Sequence, residues 1–191
     1  MGKKLDLGCG RYKIEGTLGV DIVKQESVDI VHDLNSFPYP FEESDVEEVH
    51  CYHVMEHVDD FIGMMHEIYR ICQNGAKIYI RCPHPTSCST AWADPTHKRF
   101  FVKNSFIHFR GDANNIYGFK TNFVVKKVRL HYYLYEGVRN GVALQKMPLF
   151  INHIVNKIVN SSSLMQDIFE RLLVYYIGGF EEVYYELEVI K

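Results

Sequence analysis

The stretch Leu5-Asp6-Leu7-Gly8-Cys9-Gly10 is typical of a short strand that ends in a glycine-rich turn. Glycines in such a turn let a ligand lie against backbone amides that a Cβ atom would obstruct. A second apolar run ends at Gly19-Val20-Asp21, eleven residues beyond Gly10, where the carboxylate is placed to accept hydrogen bonds from a ribose diol. A third carboxylate, Asp33, ends the apolar run over residues 28–32. The pattern predicts a ligand site at the ends of three successive strands.

Two more strand-like segments extend this pattern into an α/β fold. Residues 46–51 alternate between polar and apolar side chains, and residues 76–82 form a further run of the same kind. Strands separated by short connections and a helix predict a Rossmann-like, mostly parallel sheet.

A helix is predicted between these two strands, because apolar residues over positions 58–72 recur every three or four residues. Asp59 or Asp60 suits the start of the helix, where a carboxylate can accept hydrogen bonds from unpaired amides. Asn74-Gly75 suits its end.

The C-terminal half predicts an antiparallel pair of strands and a helical insert before the last strand. Residues 123–135 and 180–190 have strand character and can pair antiparallel. Residues 148–177 predict two amphipathic helices divided at Ser161-Ser162-Ser163. The sequence contains no internal repeat and no linker, so we expect a single domain over residues 1–191. The apolar residues of the insert would most simply cover the sheet, and they include Leu149, Phe150, Ile154, Ile158, Leu164, Ile168, Leu172 and Tyr175.

The composition is that of an ordinary globular protein, with 47% hydrophobic residues, 24% charged residues and a net charge of −3. No apolar stretch reaches the roughly 20 residues that a membrane helix needs, and the N-terminal sequence is not that of a signal peptide. The five cysteines are scattered and never form Cys-x-x-Cys, which argues against a disulfide scaffold or a zinc ribbon. We therefore expect a cytoplasmic protein.

Charge is distributed in two blocks. Residues 25–69 hold 12 Asp or Glu and no Lys or Arg, whereas residues 77–131 hold 10 Lys or Arg and 2 Asp or Glu. The two blocks are either solvated faces or, for the basic one, a surface that steers an anionic substrate. The basic segment lacks an aromatic RNA-binding signature, so we do not expect nucleic acid as a partner.

The motifs together resemble the class I S-adenosylmethionine-dependent methyltransferases. Residues 6–10 are similar to their first motif, and Asp21 is similar to the acidic residue that closes their second strand. The series Gly10-x-x-Lys13-x-x-Gly16-x-x-Gly19-Val20-Asp21 and the stretch His53-Val54-Met55-Glu56-His57 resemble one subgroup of small methyltransferases. The resemblance covers residues 4–82 and weakens beyond them.

The resemblance implies S-adenosyl-L-methionine as the cofactor and a site for it at the strand ends. The glycines of the first turn then face the amino-acid part of the cofactor, Asp21 binds its ribose, and residues after the third strand hold its adenine. Residues at the end of the fourth strand lie beside its methionine part. Lys13 either pairs with the cofactor carboxylate or is a solvated surface lysine. The implied site consists of Asp6, Gly8, Cys9, Gly10, Lys13, Asp21, Ile22, Asp33, Leu34, Cys51 and Tyr52.

The sequence departs from the family pattern in three ways. Only eight residues separate Gly10 from Gly19, too few for the usual first crossover helix, so that connection must be abbreviated. The chain starts at the first strand, so a lid over the cofactor would come from residues 83–115 or 138–178. The fourth strand is not followed by the Asn/Asp-Pro-Pro-aromatic signature of enzymes that methylate exocyclic amines of bases, which argues against that reaction.

Residues 83–99 form a long polar segment with an unusual density of reactive side chains. Its later part, Asp94-Pro95-Thr96-His97-Lys98-Arg99, resembles a segment of the same methyltransferase subgroup. In such a loop basic residues would hold a phosphate or carboxylate, an aromatic ring would stack on the acceptor, and a histidine would accept its proton. The alternative is a loop that is only clamped in place by Trp92 and Phe101. The predicted substrate-binding residues are His57, Trp92, Asp94, Lys98 and Arg99, and the candidate bases are His84 and His97.

Metal chemistry is the main alternative within the same motifs. The letters of His53-Val54-Met55-Glu56-His57 also match the His-x-x-Glu-His of inverted zinc peptidases, but the stretch lies at a strand exit, where the two histidines need not share a helix face. Glu56 and His57 would instead fix the start of the following helix or act at the substrate. No spacing rule supports a metal held by His84, Asp94 and His97, so we expect no metal.

We expect methyl transfer to an oxygen or nitrogen atom of a small polar acceptor, such as a sugar, a nucleotide-sugar or a phosphorylated metabolite. The competing hypotheses are a catalytically silent cofactor-binding partner subunit and, less well supported, a metal-dependent hydrolase that uses His53, Glu56 and His57. Apolar residues of the helical insert could also form a lid, a homodimer face or a membrane-surface contact. These residues are Phe150, Leu172, Leu173, Tyr175 and Tyr176.

Overall fold

The computed structural model describes residues 2–87, 91–132, 149–177 and 179–191. Its strands are β1 (Lys3–Leu7), β2 (Leu18–Asp21), β3 (Ile30–Val31), β4 (Val46–Tyr52), β5 (Cys72–Pro83), β6 (Phe123–Tyr132) and β7 (Phe180–Val189). Its helices are α1 (Phe61–Ile71), α2 (Leu149–Val159), α3 (Ser163–Ile168) and α4 (Val174–Ile177), with a 3₁₀ turn at Ile107–Phe109 and a π-helical turn at Phe169–Leu173. The predicted strand end at residues 133–135 and the first part of the second lid candidate, residues 138–148, lie outside the described residues.

The strands form one seven-stranded sheet in the order β3-β2-β1-β4-β5-β7-β6. Strands β1 to β5 pair in parallel, and β7 runs antiparallel between β5 and β6. This confirms the predicted mostly parallel, Rossmann-like sheet with an antiparallel C-terminal strand. The carboxyl ends of β1, β2, β3 and β4 therefore meet at one edge of the sheet, where α/β folds place their ligands.

One face of the sheet carries the apolar core. Leu7, Cys51 and Ile80 are neighbours in the register of β1, β4 and β5, and all three side chains are fully buried. Met65 and Ile68 of α1 belong to the same buried cluster. Burying side chains of this size stabilises the fold by roughly 1.5–3 kcal/mol each, so this face holds the sheet together.

The opposite face of the sheet is polar and aromatic. His50 stacks on Tyr79 with ring centroids 4.9 Å apart, and the Arg81 guanidinium lies 4.8 Å from the centre of the Tyr52 ring. The connections from β1 to β2 and from β2 to β3 contain no helix, although both are described in full. The prediction of an abbreviated first crossover is confirmed, and this face lacks the helices that such crossovers normally supply.

Helix α1 begins as predicted, but it ends at Ile71, before the stop that the sequence suggested. The Asp60 side chain caps it by accepting a 2.8 Å hydrogen bond from the Gly63 amide. The predicted stop at Asn74-Gly75 is wrong, because Cys72 already pairs with Val46 of β4. Asn74 and Gly75 instead lie in an irregularity of β5, where Gly75 has a φ of +80°.

The expectation that the helical insert covers the sheet with its apolar stripe is wrong for five of its described residues. Leu164, Leu172 and Tyr175 are 66%, 61% and 81% exposed, and Ile154 and Ile158 are exposed as well. Val159 and Val174 are buried. The division of the insert near Ser161-Ser162-Ser163 is confirmed, since α3 starts at Ser163.

The insert is held by hydrogen bonds from side-chain amides to the free edge of β6. Asn160 accepts from the Leu130 amide at 2.9 Å and donates to the Leu130 carbonyl at 2.8 Å. Asn156 makes the same pair of bonds with Tyr132, and Gln166 donates to the Val128 carbonyl. A helical insert thus supplies the backbone partners that an edge strand lacks. Within the described residues, no helix has the length and apolar character needed to cross a membrane.

The paired amide at Asn160 predicts a measurable loss of stability when it is removed. Asn160→Leu keeps a similar volume but leaves the Leu130 amide and carbonyl without their partners, so we expect a loss of about 1–3 kcal/mol in the free energy of unfolding. Urea denaturation measures this change in the free energy of unfolding. Lys157→Ala, on the exposed side of the same helix, is the control and should stay within about 0.5 kcal/mol of the original chain. An equally small effect of Asn160→Leu would contradict the proposed role of this amide.

Candidate functional site

The glycine-rich turn after β1 has a backbone that requires glycine at two positions. Gly8 and Gly10 have φ values of +71° and +57°, in the left-handed region that other residues adopt at a cost. A Cβ atom on Gly8 would also lie 2.5 Å from the side chain of Val54, whereas nothing lies within 4 Å of the corresponding position on Gly10. The turn therefore presents open backbone at the carboxyl end of β1.

Asp21 lies at the end of β2 and bonds directly to this turn. Its carboxylate accepts a 2.9 Å hydrogen bond from the Gly10 amide and a 3.0 Å bond from the Val23 amide. Each carboxylate oxygen can accept a further hydrogen bond, because it has more than one lone pair. The side chain is half-buried, so it is both fixed in position and accessible to a ligand.

Two other members of the predicted cofactor site, Asp6 and Lys13, stabilise the short connection between β1 and β2. Asp6 is buried and accepts a 2.9 Å hydrogen bond from the Ile14 amide, and burial raises the pKa of its carboxyl above the usual value. The Lys13 ammonium lies 2.6 Å from the carboxylate of Asp29, which also accepts from the Gly19 amide. Lys13 is thus engaged with Asp29 in this structure, and its pairing with a cofactor carboxylate stays a prediction.

Three further residues of the predicted cofactor site follow β2 and β3, and two of them, Asp33 and Leu34, are predicted beside the adenine. Ile22 is 61% exposed directly after Asp21 and offers an apolar surface at the sheet edge. Asp33 accepts a 2.9 Å hydrogen bond from the Asn35 amide, and Leu34 is buried. The structure thus brings Ile22 and Asp33 to the edge that carries Asp21, whereas the side chain of Leu34 packs in the core.

The two residues that end β4 point to opposite faces of the sheet. Cys51 is fully buried in the apolar core, where burial raises the pKa of its thiol well above the usual value. Tyr52 is half-buried on the polar face, and its hydroxyl lies 3.2 Å from Nδ1 of His50. Cys9, in the glycine turn, is also buried, and burial and the nearby Asp6 and Asp21 raise its thiol pKa to about 11.

His53 follows β4 and lies between two buried carboxylates. Its Nε2 atom is 2.9 Å from Glu182 and its Nδ1 atom is 3.4 Å from Glu56, while its backbone adopts a φ of +55°. Burial acts to lower the pKa of the imidazole, but the contacts with Glu182 and Glu56 outweigh it and raise the pKa to about 9. The imidazole is therefore protonated at neutral pH and bridges the two carboxylates.

Sequence reasoning did not single out Glu182 or Arg81 as site residues. Glu182 lies 129 residues from His53 along the chain and reaches it only because β7 pairs with the end of β5, where Pro83 is its partner. Arg81 lies on the same polar face, with Nε 4.0 Å from Glu182. Neither residue belongs to a local motif, so only knowledge of the strand order could have found them.

Lys98 and Arg99 tie the predicted substrate loop to the turn after β4. Arg99 donates to the carbonyls of Met55 and Asp59 at 3.0 and 2.9 Å, and also to that of Val58. The Lys98 ammonium lies 2.5 Å from the Asp59 carboxylate. Both cations therefore have partners within the chain, and their role in binding an anionic acceptor stays a prediction.

Three predicted residues meet where this loop contacts the turn. Nδ1 of His57 lies 2.9 Å from the Thr96 hydroxyl, which in turn donates to Asp94 at 2.6 Å. The rings of His57 and His97 are 4.7 Å apart between centroids. The structure thus brings together His57, Asp94 and His97.

His84 and Trp92 lie apart from this group in their contacts. His84 is buried, with Nε2 3.0 Å from Glu170 and Nδ1 2.8 Å from the Thr86 hydroxyl, so both ring nitrogens have partners within the chain. Trp92 is 64% exposed, and its indole nitrogen donates to the Pro85 carbonyl. The roles of His84 and His97 as bases and of Trp92 at the acceptor stay predictions.

No protein-family model matches the sequence, and no curated protein sequence matches it. A SAM-dependent methyltransferase from Archaeoglobus fulgidus matches the structure with a TM-score of 0.56 and 17% identity, over 98% of this chain and 86% of that one.

Two further solved structures show the same fold. Geranyl diphosphate C-methyltransferase from Streptomyces coelicolor, in complex with Mg²⁺, geranyl diphosphate and S-adenosyl-L-homocysteine, matches with a TM-score of 0.52 and 13% identity, over 100% of this chain and 73% of that one. The cyclase SpnF matches with a TM-score of 0.51 and 12% identity, over 99% and 75% of the respective chains. At these identities the comparisons show that the chain has the fold of the class I S-adenosylmethionine-dependent methyltransferases.

The glycine turn predicts a difference between two substitutions with the same backbone strain. Gly8 and Gly16 both have positive φ, but only at Gly8 would a Cβ atom meet Val54. Gly16→Ala should cost about 1–2 kcal/mol of unfolding free energy from strain alone, and Gly8→Ala about 1–3 kcal/mol more because of overpacking. Urea denaturation measures both.

The extra cost at Gly8 should shrink when the colliding side chain is shortened. In a Val54→Ala background, Gly8→Ala should lose only about as much stability as Gly16→Ala does in the original chain, roughly 1–2 kcal/mol. Equal losses for Gly8→Ala and Gly16→Ala in the original chain would contradict the tight contact between the turn and Val54.

Proposed function

We propose that this chain binds S-adenosyl-L-methionine at the carboxyl ends of β1 and β2 and transfers its methyl group to an oxygen or nitrogen atom of a small polar acceptor. The observation that carries the proposal is the bond between the Asp21 carboxylate and the Gly10 amide, within a turn that has two glycines at positive φ. Open backbone beside a fixed, accessible carboxylate is a suitable cradle for the amino acid and the ribose of this cofactor.

Different residues of the chain bind different parts of the cofactor. The turn at Gly8 and Gly10 receives the amino-acid part, Asp21 accepts from the ribose hydroxyls, and Ile22 and Asp33 receive the adenine. Lys13 would need to leave Asp29 to pair with the cofactor carboxylate, and that ion pair is partly exposed and weak enough to exchange. Asp6 does not meet the cofactor in this arrangement; it stabilises the connection after the glycine turn by accepting a hydrogen bond from the Ile14 amide.

Tyr52, Arg81 and His53 are the residues best placed to meet an acceptor, because they lie at the carboxyl end of β4 and β5. The Arg81 guanidinium packs on the Tyr52 ring at 4.8 Å and on the Tyr184 ring at 5.9 Å, and its side chain is 44% exposed. An exposed guanidinium with aromatic rings suits a phosphorylated or sugar-like acceptor. The half-exposed His53 provides a further polar contact.

The reaction we propose is a direct displacement. S-adenosyl-L-methionine, when bound, supplies an electrophilic methyl group on a sulfonium. The chain contributes position: it orients the acceptor atom toward that methyl group, and proximity provides most of the rate. Proton removal from the acceptor by His84 or His97 stays a prediction from the sequence.

Calorimetric titration of S-adenosyl-L-homocysteine tests the cofactor site without knowledge of the acceptor. We expect the original chain to bind, and Asp21→Asn to raise the Kd at least about tenfold, because loss of a charged acceptor for the ribose hydroxyls costs at least about 1.4 kcal/mol. Asp112→Asn, an exposed carboxylate in a distant loop, is the matched control and should bind like the original chain. Thermal melting checks that both variants fold. Absence of binding by the original chain would refute the proposal.

A catalytically silent partner subunit is the second candidate function. The open polar face left by the helix-free connections favours it, since such a face could be covered by another protein. Cofactor binding alone fits both candidates. Transfer of a radiolabelled methyl group from the cofactor to any member of a panel of phosphorylated sugars and nucleotide-sugars would exclude the silent partner.

The metal-dependent hydrolase has less support in the geometry. His53 is engaged by Glu56 and Glu182, whereas His57 bonds to Thr96 of the loop, so the two histidines of the motif do not converge on one point as a zinc peptidase requires.

A further inference from the structure

Three potential metal ligands from two segments converge where the 91–99 loop meets the turn after β4. Glu56 and His57 come from the turn and His97 from the loop, and one ligand atom from each lies within 4.8 Å of the other two. This grouping differs from both metal sets that the sequence suggested. It joins residues that are adjacent in sequence to one that lies 40 positions away.

Hydrogen bonds fix the tautomer of His57. The Thr96 hydroxyl has one proton and donates it to the Asp94 carboxylate at 2.6 Å. The same hydroxyl must therefore accept from Nδ1 of His57 at 2.9 Å, so Nδ1 carries the proton. In the neutral ring the lone pair is then on Nε2, which is the atom left to bind a cation.

A second acceptor fixes His97 in the same tautomer. Its Nδ1 atom lies 2.7 Å from the Ala91 carbonyl, which can only accept, so Nδ1 carries the proton here too. The remaining Nε2 atom is 3.9 Å from a carboxylate oxygen of Asp94. A hydrogen bond from one ring nitrogen to a carbonyl or carboxylate is the arrangement that orients histidines as metal ligands.

Glu56 is the third ligand, and it has a charged neighbour but no hydrogen bond of proper geometry within the described residues. Its side chain is fully buried, and within the described residues neither carboxylate oxygen has a hydrogen-bond partner of proper geometry. Its charged neighbour is His53, 3.4 Å away, and the thiol of Cys82 also lies beside it. Because burial of a carboxylate is costly unless it is paired and hydrogen-bonded, a cation at this point would stabilise the arrangement.

We propose that Glu56, His57 and His97 bind a divalent first-row transition metal ion. Two imidazole nitrogens and one carboxylate oxygen suit such ions better than Ca²⁺ or Mg²⁺, which prefer oxygen ligands. Of the nearby cations, Lys98 is paired with Asp59 and Arg99 with backbone carbonyls. His53 shares its charge between Glu182 and Glu56 and lies closer to Glu182.

The bound ion would connect the 91–99 loop to the exit of β4. Three protein ligands leave coordination positions open for water or for an oxygen atom of an acceptor. This second role, in holding the acceptor, rests on the proposed function; binding of the ion itself does not.

Cobalt titration tests the site in the full chain, purified without a polyhistidine tag and freed of metal with a chelator. We expect one Co²⁺ per chain, with the visible absorption of a nitrogen- and oxygen-ligated ion. His57→Ala and His97→Ala should each weaken binding at least about tenfold, and the double variant more than either. His153→Ala is the matched control, an exposed histidine on α2, and should bind like the original chain. Thermal melting of each variant confirms that it is folded.

The outcomes separate this proposal from the proposed function. A folded original chain that takes up no Co²⁺, or His57→Ala and His97→Ala variants that bind as well as His153→Ala, would overturn the metal site. Calorimetry with S-adenosyl-L-homocysteine on the same samples reports the cofactor site independently. Cobalt binding lost in the two variants would support the metal site even if the cofactor did not bind.

Discussion

The ionic contact of His53 with Glu182 and Glu56 is the interaction on which the arrangement of the site depends. Two carboxylates that are almost fully buried share one imidazole at the point where β4 ends and β7 begins. Buried charges destabilise a protein unless they are paired, and His53 is the partner that the two acids share. The positive φ of His53 turns the chain sharply there and places Glu56 and His57 beneath the loop.

The 91–99 loop is attached to the turn between β4 and α1 by hydrogen bonds. Arg99 donates to carbonyls within it, and the Lys98 amide donates to the Glu56 carbonyl at 2.8 Å. The resemblance to a methyltransferase subgroup marked this loop as functional, and the structure gives its two cations a role within the chain. Arg81 is the basic residue at the strand ends, on the face that carries Tyr52.

The sequence predicted the elements whose signal is local. The glycine turn, the carboxylate at Asp21 and the start of α1 at Asp60 each depend on a few neighbouring residues, and each was located correctly in the fold. The mostly parallel pairing of the strands also followed, because short connections and a helix favour parallel neighbours. The end of α1 did not follow, since the pairing of Cys72 with Val46 overrode the local preference at Gly75.

Features that join distant segments could not be predicted in the same way. Glu182 meets His53 only through the antiparallel insertion of β7, and Asn156 and Asn160 gave no signal as partners of an edge strand. An apolar stripe on a helix normally indicates a buried face, yet Leu172 is exposed because the insert attaches through side-chain amides. The spacing of apolar residues in the sequence shows that a helix has an apolar face. Which part of the protein packs against that face depends on the tertiary structure.

A crystal structure of the full chain grown with S-adenosyl-L-homocysteine would locate the ligand and so decide where the cofactor binds. We expect density for the ligand at the carboxyl ends of β1 and β2, with its ribose hydroxyls bonded to Asp21 and its amino-acid end against the turn at Gly8 and Gly10. Density for the ligand at another place, with this turn and carboxylate untouched, would contradict it.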